Sequence, residues 1–399
     1  MCARLRFVEV GTGIYSVPPT GYAGTERIIY NLSLGLLKIG VPVIIIDYPP
    51  KSKDQFIYTR STVPIHYLSR NLRLVTKINP IIYHINAVIF GLCLAKDILC
   101  GRFKISEKDI VHVHKASHAI ILKLCFLLRR SRPVIVYSEH EPHLANLKRL
   151  CFFKRLLIRT LVFLGSCFSD LVTFENPLAM KNSLQAKRIM SKCIVLLNCI
   201  DTTEFEDIEA STPDPYRVLM VGRICKTKGQ LQLINAFHRI VKSYPQAKLT
   251  LVGGVEDKNY FRLINKTIAR LRLSDNIQNY PHISHHVLLQ RFYSKHGIHV
   301  VLSDTAGTDL VVPEILASGR VLLITDISSV REVVRHGKEA FLVNASDSED
   351  IARGLLTLIQ DNELREKLSQ NARQHTREIF ECRNIARHLL QRVQALLRS

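Results

Sequence analysis

The amino-acid sequence predicts an α/β fold made of two doubly wound domains, each built on a parallel sheet. Three observations lead to this prediction. Short apolar runs of strand length alternate with longer amphipathic runs along the chain. The short runs are apolar almost throughout, which is typical of parallel strands whose two faces are covered by helices. The alternation pauses once, after residue 200, and then starts again.

The first half of the chain predicts one domain over residues 1–200. A helical pattern at 26–40 lies between the first two strands and ends at Gly40, a residue type that commonly terminates helices. The six predicted strands cover 6–11, 41–47, 109–114, 133–140, 170–175 and 192–198.

The second half predicts another domain of the same kind over residues 217–375. Residues 201–216 are acidic, polar and proline-containing, so we expect a linker there. Helical patterns at 231–244 and 312–319 separate some of the strands, and a basic helical segment is expected at 376–399. The five predicted strands cover 217–222, 247–254, 276–282, 298–303 and 320–325.

The chain is strongly basic. Lysine and arginine outnumber aspartate and glutamate by 55 to 34, which gives a formal net charge of +21. A surplus of this size predicts a polyanionic partner: nucleic acid, an anionic bilayer or a phosphorylated substrate. Nucleic acid is the least favoured of these, because the cations are not interleaved with exposed aromatics and no recognition motif is present.

Cysteine usage and hydropathy predict a cytoplasmic protein. The ten cysteines are scattered, with no CxxC pair and no zinc-type Cys/His spacing, so we expect reduced thiols. The N-terminal residues enter a predicted strand without the apolar core of a signal peptide. The most apolar window, 81–100, is interrupted by His84, Asn86, Lys96 and Asp97, so we do not expect it to span a membrane.

Three motifs follow predicted strands, where open α/β sheets bind their ligands. The first is PPTGYAGTERIIY (18–30), in which Gly24 precedes a helix. Glycine lets a backbone approach a ligand closely, and a helix N-terminus favours negative charge. An ordinary turn before a helix explains this motif equally well.

The second motif is VGRICKTKGQ (221–230). Gly222 ends a strand, Arg223 follows at once, and Lys228 precedes the next helix. The stretch contains no carboxylate to pair with these cations, so we expect them to be available for a diphosphate. The alternative is a solvated, charged loop.

The third motif is SDTAGTDLVVPEILASG (303–319). Gly307 and Thr308 lie in a loop after a strand, and the backbone amides from Thr308 through Asp309 to Leu310 can meet a phosphate at the helix start. Glu314 follows among apolar residues, where a carboxylate needs a partner such as a pair of sugar hydroxyls. The alternative places Glu314 on the solvent face of its helix.

Taken in order, these motifs resemble the retaining glycosyltransferases of family 4, which have the GT-B fold. YAGTER is similar to the family's N-terminal glycine loop, and VGRICKTKG to its diphosphate motif. DIVHVH and VYSEHEP resemble acceptor-domain strands that end in His, and VPEILASGRVLLITDISSVREVVRHGKEAFLV resembles the nucleotide-sugar block. The resemblance covers nearly the whole chain. It implies an acceptor-binding domain and a donor-binding domain that face a central cleft.

The resemblance also implies roles for individual residues. Arg223 and Lys228 would hold the donor's diphosphate and stabilise the leaving group, and Glu314 would bind the ribose. His114 or His140 would lie near the reacting sugar, although a His that only satisfies a strand end remains an alternative for each. The other donor contacts are expected at Gly24, Gly222, Gly307, Thr308, Asp309 and Leu310.

Among the departures from the family pattern, which include Ala23 and Cys199 at positions where Gly is usual, one matters for the donor. Ala306 stands eight positions before Glu314, where the family usually has a second Glu that contacts the donor sugar. The identity of the sugar is therefore open. No Asp-x-Asp occurs in the sequence, and we expect neither a metal ion nor a cofactor, because Arg223, Lys228 and the helix dipole supply positive charge.

A second basic region lies at residues 143–165. On a helix, Lys148, Arg155 and Arg159 fall on one face, and most of the remaining surface is apolar. This pattern is typical of a helix at a bilayer surface, although a core helix with one solvated stripe also fits. We expect an enzyme that is peripheral at the cytoplasmic face of the membrane.

The sequence as a whole predicts a glycosyltransferase that moves a sugar from a nucleotide-diphosphate sugar to a glycan or a lipid-linked acceptor. Two alternatives stay open. One is a sugar-nucleotide epimerase of the same fold, and the other is a non-catalytic nucleotide-sugar-binding or scaffold protein.

Overall fold

The computed structural model describes residues 5–19, 23–49, 62–72, 80–127, 129, 132–140, 152–183, 189–209, 213–281, 283–303 and 309–398. The chain divides into two compact units. Unit 1 comprises residues 1–199 together with 382–399, and unit 2 comprises residues 200–381.

Unit 1 is built on a seven-stranded sheet with the order β3-β2-β1-β4-β5-β6-β7, in which every pairing is parallel. The order reverses between β1 and β4, so the loops that follow these two strands diverge there. The strands are β1 Arg6–Val10, β2 Val43–Asp47, β3 Ile65–Tyr67, β4 Asp109–Val113, β5 Val134–Glu139, β6 Leu171–Phe174 and β7 Cys193–Val195.

Helices cover both faces of this sheet. Buried residues of α2 and α3 pack against one face, and buried residues of α1 and the C-terminal α11 pack against the other. Both faces are therefore dry, as the nearly continuous apolar strands predict. The helices of unit 1 are α1 Gly24–Lys38, α2 Pro80–Leu99, α3 Ala116–Phe126, α4 Phe152–Phe168, α5 Pro177–Asn182 and α11 Cys382–Arg398, with a 3-10 turn at Met190–Lys192.

Unit 2 repeats this plan with a six-stranded parallel sheet of order β10-β9-β8-β11-β12-β13. Here the order reverses between β8 and β11. The strands are β8 Asp214–Val221, β9 Lys248–Val252, β10 Ile277–Tyr280, β11 His296–Val301, β12 Val321–Thr325 and β13 Phe341–Val343.

The main core of unit 2 lies between its sheet and helices α6, α7 and α9. The longer helices are α6 Gln230–Ser243, α7 Lys258–Arg270, α8 Val311–Ala317, α9 Ser348–Gln360 and α10 Asn362–Ile379. Shorter helical segments are Thr202–Phe205, Glu206–Glu209, Lys226–Lys228, His285–Val287, Leu288–Tyr293 and Ser328–Arg331.

The predicted two-domain α/β architecture is confirmed, with differences at its edges. All eleven predicted strands are present, while β3 and β13, of three residues each, were not predicted because they are too short to show a pattern. The predicted linker at 201–216 is wrong, since these residues belong to unit 2 and β8 already begins at Asp214. The predicted segment 376–399 is divided, because α10 stays in unit 2 whereas α11 packs on α1 in unit 1.

At two places a glycine permits a contact between neighbouring elements that is too close for a side chain. A Cβ built on Gly253 would lie 1.9 Å from the carbonyl oxygen of Gly222, so the ends of β8 and β9 approach more closely than any side chain allows. A Cβ on Gly35 of α1 would lie 2.3 Å from the carbonyl oxygen of Cys382, the first residue of α11. Gly35 therefore permits the close packing that holds the C-terminal helix on unit 1.

Candidate active site

The loops after β8 and β11 meet at the point where the strand order of unit 2 reverses. Lys228, in the turn after β8, places its Nζ 2.7 Å from Oδ2 of Asp309 and 3.1 Å from Oγ of Ser303. Ser303 and Asp309 both follow β11. A parallel sheet binds ligands at such a reversal, and here the structure brings a half-buried cation to it.

Arg223 lies beside Lys228 in sequence but is much more exposed, with 62% of its side chain accessible. Its guanidinium pairs with Glu256, which comes from the loop after β9. The expectation that no carboxylate pairs with these cations is therefore wrong, because Glu256 and Asp309 reach them from other loops. Both ion pairs join partners more than thirty residues apart, which is why the local sequence did not show them.

The N-terminus of α6 points into the same loop region. Gly229, directly before α6, has a φ of 77°, and a Cβ on it would lie 2.7 Å from the Cβ of Leu302. Glycine is required there for both reasons. The carbonyl of Arg223 accepts a hydrogen bond of 2.9 Å from Nε2 of the buried Gln230, which fixes the turn. The amide of Leu231 in the first turn donates to the hydroxyl of Tyr260 at 3.1 Å, and the dipole of α6 favours an anion near this end.

Glu314 lies in the first turn of α8 and is buried. The alternative that placed it on a solvent face is wrong. Nε2 of His285 lies 3.2 Å from its Oε1, and Nδ1 of the same ring lies 3.9 Å from a carboxylate oxygen of Glu204. The sequence analysis missed His285, although it follows β10 at the carboxyl edge of the sheet, where such a residue could have been sought.

Among the remaining predicted donor contacts, the structure describes Gly24, Gly222 and Leu310. Gly222 directly follows β8, and its amide donates to the carbonyl of Val252 at 2.9 Å. Leu310 caps α8 with its backbone, and Gly307 and Thr308 lie outside the described residues. Gly24 is the first residue of α1, and apart from its chain neighbours and the backbone of α1, no atom of the described residues lies within 4 Å of a Cβ built there.

Unit 1 holds a hydrogen-bonded network at the carboxyl ends of four adjacent strands. Glu9 accepts from two rings, with Oε1 at 2.9 Å from Nδ1 of His112 and Oε2 at 3.0 Å from Nε2 of His114. Nδ1 of His114 lies 2.9 Å from Nε2 of His140, and Nδ1 of His140 lies 2.8 Å from Oε1 of Glu175. His114 and His140 are thus brought together, as neighbours in one network.

The network ends at two hydroxyls on its other side. Nε2 of His112 lies 2.7 Å from Oγ of Ser138, which lies 2.6 Å from Oγ1 of Thr173. The sequence analysis missed these hydroxyls together with Glu9 and Glu175. Side chains alternate between the faces of a strand, so residues two apart share a face. The signal was therefore present in the pairs 112 and 114, 138 and 140, and 173 and 175.

Burial and mutual contact set the charges of this network. Burial raises the pKa of Glu9, but the charge and hydrogen bonds of His112 and His114 outweigh it, and the pKa falls to about 2. Burial, reinforced by His112, lowers the pKa of His114 to about 3 against the opposing effect of Glu9. At neutral pH Glu9 is therefore a carboxylate and His114 is a neutral ring.

A count of protons follows from these states. His112 must donate from Nδ1 and His114 from Nε2, because the Glu9 carboxylate only accepts. Nδ1 of the neutral His114 then has no proton and accepts from Nε2 of His140. The remaining contact joins Nδ1 of His140 to Oε1 of Glu175 at 2.8 Å, so the network continues to the end of β6.

The same groups are the ones in the described part of unit 1 that could hold a metal ion. Glu9, His112 and His114 offer donor atoms within 4.8 Å of one another. Each of these atoms already has a hydrogen-bond partner within the network. The residues that are present fit a closed hydrogen-bond network without requiring an ion.

We expect the stability of unit 1 to fall as the pH decreases from about 6.5 toward 3. His114 has a lowered pKa in the folded state, so the unfolded chain binds a proton that the folded chain excludes. Stability is then complete above the unfolded pKa and is lost below it. Urea unfolding across this range gives the free energy of unfolding at each pH. The slope of this free energy against pH should be smaller in His114→Gln than in the wild type by about 1.4 kcal/mol per pH unit. An unchanged slope in this variant would contradict the buried neutral ring.

The residues of the candidate site in unit 2 lie in a segment that matches a known protein family. Residues 201–375, which include Arg223, Lys228 and Glu314, match the family model for glycosyl transferases group 1. The chain is a glycosyltransferase. Over 392 residues, 96% of this chain and 98% of the relative, it is 24% identical to the N-acetylgalactosamine-N,N'-diacetylbacillosaminyl-diphospho-undecaprenol 4-alpha-N-acetylgalactosaminyltransferase of Campylobacter jejuni.

Further relatives of this glycosyltransferase agree in class and fold. The capsular polysaccharide biosynthesis glycosyltransferase CapM of Staphylococcus aureus is 24% identical over 261 residues, 62% of this chain and 67% of CapM. The crystal structure of Anabaena HepE in complex with UDP and glucose superposes with a TM-score of 0.73 at 15% identity, over 98% of this chain and 99% of that chain. The fold of the glycosyltransferase is GT-B.

No helix among the described residues is both long enough and apolar enough to cross a bilayer.

Proposed function

We propose that the protein is a retaining, family 4 glycosyltransferase that moves a sugar from a nucleotide-diphosphate sugar to a glycan or lipid-linked acceptor. The observation that carries the proposal is the meeting of Lys228, Ser303 and Asp309 where the strand order of unit 2 reverses. Arg223 and the N-terminus of α6 add positive charge to the same loops. Cations and helix amides are the groups that hold a diphosphate.

In this proposal the donor lies on unit 2 and no divalent metal is used. Arg223 and Lys228 bind the diphosphate and stabilise the negative charge that grows on it as the glycosidic bond breaks. Lys228 leaves Asp309 for the phosphate, and Asp309 becomes available for the sugar. Glu314, held by His285, accepts hydrogen bonds from the ribose hydroxyls. Gly24, Gly222, Gly307, Thr308 and Leu310 contribute backbone contacts.

Unit 1 supplies His140 to the reaction in this proposal, and His114 acts as a positioning residue. Both ring nitrogens of each histidine are engaged in the network, so His140 meets a sugar hydroxyl only by giving up one partner. Because its Nε2 donates to Nδ1 of His114, we assign His140 the role of a hydrogen-bond donor rather than of a base. The leaving phosphate then takes the proton of the acceptor hydroxyl, and no protein nucleophile takes part.

The acceptor side of the proposal rests on the relatives and on charge. The relatives from Staphylococcus aureus and Campylobacter jejuni are named for capsular polysaccharide biosynthesis and for transfer to a diphospho-undecaprenol-linked sugar. A protein with a net charge of +21 suits such an acceptor at an anionic membrane. We therefore propose cell-surface polysaccharide or glycoconjugate synthesis, peripheral at the cytoplasmic face of the membrane.

Two observations favour a non-catalytic, nucleotide-sugar-binding protein as the second candidate. The ring nitrogens of His114 and His140 are satisfied within unit 1, and Ala306 stands where the family has a Glu. Such a protein would bind a nucleotide sugar without consuming it. Release of nucleoside diphosphate in the presence of membrane extracts separates the two candidates.

Thermal melting with nucleotides tests the donor site. We expect one of UDP, GDP or ADP, or its sugar conjugate, to raise the melting temperature of the wild type, since a ligand at a hundredfold excess over its Kd stabilises by about 2.7 kcal/mol. Arg223→Ala should weaken the binding of that ligand by about 10- to 100-fold, which is the effect of losing one charged hydrogen bond. Lys226→Ala is the matched control, because Lys226 lies exposed in the same turn. If no nucleotide shifts the wild type at millimolar concentration, the donor-site proposal fails.

A further inference from the structure

Three helices on one face of the unit 1 sheet form a single layer. α2 packs on α3, and α3 packs on α4. Glycines allow close contact at both junctions. A Cβ on Gly91 of α2 would lie 2.9 Å from Cδ1 of Ile121, and a Cβ on Gly165 of α4 would lie 2.7 Å from the Cβ of Ala116. Side chains of this layer that do not face the sheet or a neighbouring helix therefore share one outer side.

That outer side is apolar to an unusual degree. On α2 the exposed residues Ile85, Val88, Leu92 and Leu99 recur at helical spacing, on the side opposite the buried Phe90. Large apolar side chains that are exposed together on one side of a helix are typical of an interaction surface. We call this outer side the outer helix face, and its exposed apolar residues are Ile85, Val88, Leu92, Leu99, Leu124, Leu127, Leu156, Leu157 and Leu164.

The charge on the outer helix face has one sign. The sequences of α2, α3 and α4 contain a single acidic residue, Asp97, which is buried and accepts hydrogen bonds from Ser69. Lys96 and Arg159, in contrast, are exposed among the leucines. An apolar surface with cations and without exposed carboxylates is complementary to anionic lipid headgroups.

We propose that the outer helix face binds an anionic lipid bilayer, with its leucines at the level of the headgroups. This inference rests on the proposed function, because the bilayer carries the lipid-linked acceptor. A second copy of the chain fits less well, since both copies would bring exposed cations of these helices and no exposed helix carboxylate to the contact. The surface is wider than the basic helix predicted from residues 143–165, because α2 and α3 supply most of its apolar residues.

Vesicle flotation tests the proposal with the full chain. Vesicles of equal parts phosphatidylglycerol and phosphatidylcholine should bind the wild type, and vesicles of phosphatidylcholine alone should bind it much less. The double variant Leu92→Gln/Leu124→Gln changes two residues that are each 56% exposed and should bind the anionic vesicles about tenfold more weakly. Lys96→Gln/Arg159→Gln should lose much of the preference for anionic lipid.

The matched control is Leu263→Gln/Leu397→Gln, which changes two leucines that are each 47% exposed and lie outside the outer helix face. We expect it to bind vesicles like the wild type. The proposal is overturned if the wild type does not float, if both leucine double variants behave alike, or if phosphatidylcholine alone binds equally well. It is also overturned if the wild type is a dimer that Leu92→Gln/Leu124→Gln makes monomeric. Nucleotide melting shifts of the same samples report the proposed function separately.

Discussion

Glu9→Leu is expected to destabilise unit 1 by about 3–5 kcal/mol, the usual effect of removing one partner from a buried charged group. Glu9 has no accessible surface, and its two oxygens accept from His112 and His114. Leucine would leave two N–H groups buried without acceptors, and each carries its own desolvation cost. Urea unfolding of the wild type and the variant at pH 7.5 measures the difference.

Glu9→Gln is the matched control, since it keeps the shape and changes only the charge. Its amide oxygen can accept from His114, and its NH2 can donate to Nδ1 of His112. The ring of His112 then carries its proton on Nε2 and donates to Ser138, so every group keeps a partner. We expect this variant to lose about 1–2 kcal/mol, less than the leucine variant. Equal losses in the two variants would contradict the hydrogen-bond network as the source of the stability.

The parts of the fold that the sequence predicted are those governed by local pattern. Strands such as β4 and β12 are apolar, branched and bounded by polar residues, so periodicity alone finds them. The short strands β3 and β13 are held by pairing with β2 and β12, which a local pattern does not contain. The segment 201–216 was mistaken for a linker because its composition is polar, although its last residues already pair in the sheet of unit 2.

The residues of the candidate site also divide into those that a local pattern predicts and those that it does not. Arg223, Lys228 and Glu314 could be chosen from the sequence because each follows a strand or opens a helix. Their partners Glu256 and His285 were not chosen, since their contacts with these residues arise through tertiary packing from distant loops. Ion pairs between loops depend on strand order, and nothing in a single loop fixes that order.

The network of unit 1 lies between these cases. His114 and His140 were chosen as the last residues of their strands, and in the structure each one directly follows its strand, which ends at Val113 and at Glu139. Their connection needed two further facts: that residues two apart share a face, and that β1, β4, β5 and β6 are adjacent in that order. The first fact was available from the sequence, whereas the second was not.

Lys228→Ala is expected to lower kcat/KM for sugar transfer by about 10²–10³, the effect of removing one preorganised group that stabilises a developing anion. Lys228 is mostly shielded from solvent, and its ammonium is fixed by Ser303 and Asp309, so little reorganisation is needed when a phosphate arrives. Lys226→Ala should leave kcat/KM within about threefold of the wild type, because an exposed cation is screened by water and salt. Release of nucleoside diphosphate gives the rates.

Asp309→Asn separates the observed contact of Asp309 with Lys228 from its proposed role at the donor sugar. The Asp309 carboxylate holds Lys228 in place but would also repel an incoming diphosphate, so its neutral analogue should bind free nucleoside diphosphate about tenfold more tightly, a gain of about 1.4 kcal/mol. If Asp309 then turns to the donor sugar, as proposed, the sugar conjugate should gain less than the free nucleotide does. An equal gain for both ligands would restrict Asp309 to holding Lys228, whereas weaker binding of both would show that the Lys228–Asp309 pair must stay intact for the loop to bind phosphate.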